Sequence, residues 1–242
     1  MITDIHGNAS ALKAVLSEID NRNNIDHIYC LGDMIGIGPD SNEVLETLFS
    51  RADTSMITGN HDEGILALAK GQRYPKSHSH VKEHHQWILD RMDKSFIPKL
   101  DQLPRTIEKN IEGYSILFIH YQIEYSKINK HISKDPFSSI VKPSVSNLEY
   151  LFKGHNEDLI CFGHHHPIHY FKGNKTTYLN PGSLGCNHKP TAPYAIVRIE
   201  NSKVDVYLEE ATYDNSSFLE SYHGLQVPER DFILQVFHGN QI

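Results

Sequence analysis

Five short polar clusters, most of them placed directly after a short apolar run, constrain the fold of this chain more than any other feature. They are Asp4-Ile5-His6, Gly32-Asp33, Gly59-Asn60-His61-Asp62, His120, and Gly163-His164-His165-His166. Each offers carboxylate oxygen, amide oxygen or imidazole nitrogen. Taken singly they carry little, because Asp-x-His and Gly-Asp are common and Gly-Asn-His-Asp suits a turn. Taken in this order they describe ligands converging from distant strand ends, which is what a pair of divalent cations requires.

The segments between the clusters alternate in period. Residues 8–21 place Ala11, Leu12, Val15, Leu16 and Ile19 on one helical face, and 41–49 reads as a second helix introduced by Pro39 and Asp40. Strands are expected over 27–31, 55–58, 114–119 and 158–162. Such alternation predicts βαβ units and a parallel sheet, with the active crevice at the carboxyl ends of its strands. Residues 62–103 read as mostly helical with a break at 71–75. Residues 176–179, 194–199 and 204–208 read as an antiparallel stretch, and 214–237 as two short helices split at Val227-Pro228. The expected product is an α/β fold of two facing mixed sheets flanked by helices. It forms a single domain over 1–242, with a helical insertion at about 64–103. A polar, cap-like loop at about 121–143 follows His120 and is placed to overhang the site. Only three residues precede Asp4. A strand that short leaves sheet hydrogen bonds unmade, so the first strand is expected to begin upstream of Met1.

Composition narrows the function classes. A net charge of -7 argues against long nucleic acid as a partner. Neither a run of about 18 apolar residues nor a signal peptide is visible, so the expectation is a cytoplasmic protein without a membrane partner. The three cysteines, Cys30, Cys161 and Cys186, lack zinc-ribbon spacing. The 17 histidines are the outlier. His165 should point away from His164 and His166. His80 and His84 have ligand spacing but lack the glutamate of a zincin, so the 78–85 histidines read as a solvated or cap-lining helix face.

The ordered clusters, together with Gly32-Asp33-Met34-Ile35-Gly36-Ile37-Gly38-Pro39-Asp40, Asn180-Pro181-Gly182-Ser183 and Leu225-Gln226-Val227-Pro228-Glu229, resemble the calcineurin-like metallophosphoesterases, in particular their small bacterial phosphodiesterase-like branch. The resemblance spans nearly the whole chain and implies a four-layer α/β/β/α sandwich. It assigns one metal to Asp4, His6, Asp33 and His166, and a second to Asp33, Asn60, His120 and His164, with Asp33 shared. It implies a hydroxide bridging the metals as nucleophile, and His61 as the catalytic histidine that protonates the leaving oxygen or stabilises its charge, with Asp62 as a candidate to orient it. Manganese is the first choice of metal, with iron, zinc, cobalt and nickel as alternatives.

Two departures bear on substrate. Positions 34–38 lack the arginine with which the protein phosphatase branch grips a phosphomonoester, and Tyr121-Gln122-Ile123 replaces the Gly-Ser-Pro that often follows the fourth cluster. The expected activity is therefore phosphodiester hydrolysis on a small substrate such as a cyclic nucleotide, a dinucleoside polyphosphate or a nucleic-acid end. The competing readings are a phosphomonoesterase for small metabolites and a non-catalytic interaction scaffold of the same fold.

Overall fold

A computed structural model describes residues 1–201 and 203–241. Helix α1 (Ala9–Asp20) starts where the Asn8 side chain accepts the Ala11 N–H at 3.0 Å. A cap of this kind contributes about 1 kcal/mol. The helix buries Ala11, Leu12, Val15, Leu16 and Ile19, the face its spacing predicts. Strand β1 (Ile28–Cys30), helix α2 (Ser41–Phe49) and strand β2 (Thr54–Met56) form a βαβ unit, with Ile28 opposite Thr54 in a parallel pair.

Residues 1–3 lie on the other side of β1. The Ile2 N–H donates to Tyr29 O and the Leu31 N–H to Ile2 O, both at 2.9 Å. The Met1 ammonium donates to Ala195 O at 2.7 Å, and the Ala195 N–H returns a bond to Met1 O at 3.0 Å. Neighbours on both sides thus take up the hydrogen bonds of Met1 and Ile2.

Helices α3 (Asn60–Ala69), α4 (Lys82–Arg91) and α5 (Ile97–Asp101) follow. Their Ile65, Leu66, Ile88, Leu89 and Leu100 join one core with the buried faces of α1 and α2. The helical stretch begins two residues earlier than its apolar pattern suggests, so Asn60 and His61 stand in the first turn of α3.

The second sheet has the order β3-β4-β5-β7-β6, built from β3 (Thr106–Ile111), β4 (Tyr114–Ile119), β5 (Leu159–Cys161), β6 (His169–Lys172) and β7 (Thr177–Asn180), with α6 (Val145–Leu151) before β5. The three central strands are parallel and the edges antiparallel. Strands β8 (Thr191–Glu200) and β9 (Lys203–Thr212) pair as a long hairpin, and α7 (Ser216–Gly224) and α8 (Arg230–His238) close the chain. Residues 176–179 were expected beside this hairpin. They pair instead with β5 and β6 in the other sheet. Strands β3 and β6 and helix α6 escape the apolar pattern, since β3 carries an exposed Glu-Lys-Asn centre and β6 opens on a histidine.

Alternation along the central strands builds the layers. Ile116 and Phe118 of β4, Leu159 and Cys161 of β5, and Leu179 meet Leu31 and Ile57, which follow β1 and β2, and Ala195 of β8. Leu117, Ile119, Ile160 and Phe162 turn the other way, onto Leu148 and Phe152 beside α6. Each such side chain contributes roughly 1.5–3 kcal/mol by leaving water. Helices therefore cover two sheets that face one another, and the carboxyl ends of the strands gather at one edge.

Candidate metal centre

Sheet geometry delivers the clusters to one place, and the backbone leaves the ordinary regions there. Asp4, His6, Asp33 and His164 all have positive φ, between 48° and 67°. Few side chains adopt this conformation without support, and it concentrates at functional sites. The turns are pinned by hydrogen bonds: Asp4 N–H to Gly32 O, His6 N–H to Asp33 O, and the His164 N–H to both oxygens of Asp4 at 3.2 and 3.0 Å. Gly59 lets the start of α3 approach Asp33, since a Cβ there would collide with the Asp33 carboxylate.

Ligand atoms gather in three overlapping groups: Asp4, His6 and His166; His6, Asp33 and His61; and Asp33, His120 and His164. Within each group they lie within 4.8 Å of one another. Asp33 belongs to two groups. Its Oδ2 lies 3.3 Å from His120 Nε2 and 3.9 Å from His6 Nε2. Asn60 joins through Oδ1, 3.0 Å from His120 Nε2. His6 Nε2 and His166 Nε2 face each other at 3.1 Å. All seven expected ligand residues are therefore together.

The donor set fits divalent cations. The His120 Nδ1–H donates to Leu31 O at 2.7 Å, which leaves the Nε2 lone pair aimed at Asp33 and Asn60. The Asn60 Nδ2 donates to His78 Nε2 at 2.8 Å, which fixes its Oδ1 toward the same point. Lone pairs crowded this closely repel unless positive charge lies among them. The protein alone answers by protonation: burial opposes charge on His120, but Asp33 beside it raises its pKa to about 9. Burial likewise works against the Asp33 carboxylate, yet the charge and hydrogen bond of His120 beside it hold it well below the usual range. The first-turn His61 N–H also donates to Asp33 Oδ1 at 2.9 Å. Burial pushes His6 and His164 down to about 3, so both are neutral donors. All-nitrogen-and-oxygen donors suit manganese, iron or zinc.

His61 stands edge-on to His6, ring centroids 5.1 Å apart. Asp62 does not orient it. The Asp62 carboxylate accepts the Gly59 N–H at 2.9 Å and the Ile35 N–H at 3.2 Å, capping α3 and tying down the loop after Asp33. His61 Nδ1 instead meets His85 Nε2 at 2.8 Å. The solvated-face expectation for residues 78–85 is thus corrected for three of them: His84 is buried with its Nδ1 3.2 Å from Pro228 O, and two more lie behind the site. His85 is fully buried behind His61, and His78 backs Asn60. His80 stays exposed. Spacing in α4 places His85 beside Ile88 on the inward face, and that is the signal that could have found it. His165 turns to His169, 2.9 Å away, and stays out of the cluster.

Residues 1–202 match the calcineurin-like phosphoesterase superfamily domain. The chain is 29% identical to an uncharacterized protein of Methanocaldococcus jannaschii over 95% of this chain and 93% of that one. It is 31% identical to a symmetrical bis(5'-nucleosyl)-tetraphosphatase of Paracidovorax citrulli, over 49% of this chain and 42% of that protein. The crystal structure of a metallophosphoesterase from Sphaerobacter thermophilus shares the fold with a TM-score of 0.70 at 20% identity, over 96% of this chain and 95% of that one. With the family domain spanning all five clusters, this chain belongs to the calcineurin-like phosphoesterase superfamily.

Proposed function

We propose that the protein hydrolyses a phosphodiester bond in a small substrate, using two divalent cations. The observation that carries this reading is the convergence of Asp4, His6, Asp33, Asn60, His120, His164 and His166, with Asp33 common to two ligand groups. Asp4, His6, Asp33 and His166 would hold one cation, and Asp33, Asn60, His120 and His164 the other. Bound there, the cations neutralise phosphoryl charge and make water a competent nucleophile near neutral pH. Around them the chain fixes geometry. Leu31 O orients His120, His78 orients Asn60, and the start of α3 holds Asp33. His61 would meet the leaving oxygen.

Two features support a diester over a monoester. The loop after Asp33 presents buried Met34 and Ile35 and carries no cation to take an additional anionic oxygen. The tetraphosphatase relative also points to small nucleotide substrates. A cavity of about 540 Å³ opens beside Asn60 and His164, lined further by His78, Lys127, Phe137 and Ser138 from and around the 121–143 segment. That volume suits a small molecule. Manganese is the proposed metal. The test is cleavage of bis-p-nitrophenyl phosphate against p-nitrophenyl phosphate with added manganese. The diester should be favoured by roughly tenfold or more in kcat/KM, and Asp33→Asn should lose both activities. Folded protein inactive on both esters with manganese, cobalt and zinc overturns the reading.

A further inference from the structure

We propose that Tyr74 and His85 are positioning residues that set the tautomer and orientation of His61, so that its Nε2–H faces the substrate. This inference rests on His61 being the group that meets the leaving oxygen.

A hydrogen-bond chain runs behind the proposed ligands. Tyr74 Oη lies 2.8 Å from His85 Nδ1, and His85 Nε2 lies 2.8 Å from His61 Nδ1. A neutral phenol has one proton to donate, and the hydrogen bond made by Tyr74 Oη runs to His85 Nδ1. With Tyr74 donating, His85 Nδ1 is an acceptor and the His85 proton sits on Nε2. That proton is donated to His61 Nδ1, so the His61 proton sits on Nε2. One phenol at the end of the chain thereby decides which nitrogen of His61 carries hydrogen, two residues away.

Packing holds the chain in register. Gly36, at φ 128°, passes directly over the His61 ring, and a Cβ there would clash with the His61 Cβ and ring atoms. Gly64 does the same for His85 on the far side, where a Cβ would lie 3.2 Å from His85 Nδ1 and 3.7 Å from Tyr74. The two imidazoles thus occupy a slot between a loop glycine and a helix glycine, at a centroid separation of 4.9 Å. His85 lies behind His61 and enters none of the ligand groups, so its effect must be transmitted through His61.

The chemistry gives this arrangement a purpose. A leaving oxygen gains negative charge as its bond to phosphorus breaks, and an N–H aimed at it stabilises that charge. The opposite tautomer would aim a lone pair at the same oxygen and repel it. Misorientation of a catalytic group typically costs one to two powers of ten in rate.

The experiment compares His85→Leu, His85→Gln, Tyr74→Phe and His61→Gln on bis-p-nitrophenyl phosphate with manganese, after thermal unfolding and metal stoichiometry have established that each is folded and loaded. His85→Leu removes the donor and should lower kcat roughly 10- to 100-fold with KM within about threefold of the parent. His85→Gln restores an N–H at the position of Nε2 and an acceptor for Tyr74, and should recover kcat to within about fivefold. Tyr74→Phe releases the tautomer and should lower kcat about threefold to tenfold. Nitrogen-15 NMR of the zinc-loaded parent should show His61 protonated on Nε2, with mixed tautomers in Tyr74→Phe. The proposal is overturned by kcat of His85→Leu within twofold of the parent, by His85→Gln as slow as His85→Leu, or by His61 protonated on Nδ1. Should His61→Gln retain full kcat, the underlying role of His61 fails instead, whatever the NMR shows.

Discussion

The residues proposed to hold the cations and the segment that backs them, from Tyr74 to His85, are both rich in histidine yet built on different principles. The proposed ligands sit at strand ends and turns and, for Asn60, in the first turn of α3; several are in left-handed backbone, pinned by main-chain bonds such as Asp4 N–H to Gly32 O and His6 N–H to Asp33 O. The backing histidines come from a 3-10 turn, Lys76–Val81, and from α4, and make single side-chain contacts to the residues in front of them. The difference predicts two kinds of failure. Damage to the front should remove metal and activity together. Damage to the backing should leave metal in place or weaken it, and should misplace groups that are still present.

Asp33→Asn is the largest expected break. It keeps the shape but halves the donor strength of the shared carboxylate, and kcat/KM should fall by roughly a thousandfold or more. Metal analysis should show fewer than two cations per chain. If two cations remain and activity holds, Asp33 is not shared between them.

Arg105→Ala probes how the overhanging segment is held. The half-buried guanidinium donates to Glu63 at 2.7 Å, to Ile128 O at 2.8 Å and to Lys130 O at 2.7 Å, fastening that segment to α3. Its removal leaves the Glu63 carboxylate without its cation, held by the Thr58 hydroxyl at 3.0 Å, and takes the donor from two carbonyls. Denaturant unfolding should show a loss of about 3 kcal/mol, and KM should rise with kcat less affected.

His78→Leu tests the backing directly. The Asn60 amide is oriented because Nδ2 donates to His78 Nε2. The His78 ring is in turn held through Nδ1 by Ser77 Oγ, 2.8 Å away, and Ser77 donates to Asp135 of the overhanging segment. With the partner gone, the amide is free to flip its nitrogen toward the cations. Affinity for the second cation should weaken roughly 10- to 100-fold, readable by manganese titration, while the first is unchanged. Equal loss at both sites would erase the distinction between ligands and backing.

The front of the site was legible in the sequence because most of the proposed ligands follow an apolar run, so strand geometry fixes their direction within a residue or two. Four-layer packing followed from the same runs, since Ile116 and Phe118 alternate with Leu117 and Ile119. His78 and His85 were not legible as partners of Asn60 and His61. Their contacts span 18 and 24 residues and depend on how the 3-10 turn and α4 dock on α3; the period of α4 turns His85 inward but does not name its partner. Asp62 misled for the opposite reason. Adjacency to His61 suggested a partner, but in the first turn of a helix successive side chains diverge, and a carboxylate there is drawn to backbone N–H groups. Strand β6 and helix α6 were lost because edge and outer-layer elements carry too few apolar residues to mark a period.

A histidine outside the ligand groups, though within electrostatic reach of His166, reports on burial when the protein is kept free of metal, and it gives the smallest expected change. His238 in α8 is buried and shares a hydrogen bond with Tyr222 Oη at 3.1 Å. Burial, with smaller contributions from His188 and His166, lowers its pKa to about 4. In the unfolded chain a histidine titrates near 6.5. Between those values the unfolded chain binds the proton and the folded chain does not, so stability is full above about pH 6.5 and falls as pH drops toward 4. At pH 5.5 the loss should be about 1 kcal/mol relative to pH 7. His238→Gln keeps a partner for Tyr222 without titrating. Denaturant unfolding of metal-free protein should therefore show a shallower decline from pH 7 to 5.5 than the parent, whatever the absolute stability of the variant. An unchanged decline would mean that His238 takes up its proton inside the fold, and that burial of a histidine here does not by itself hold it neutral.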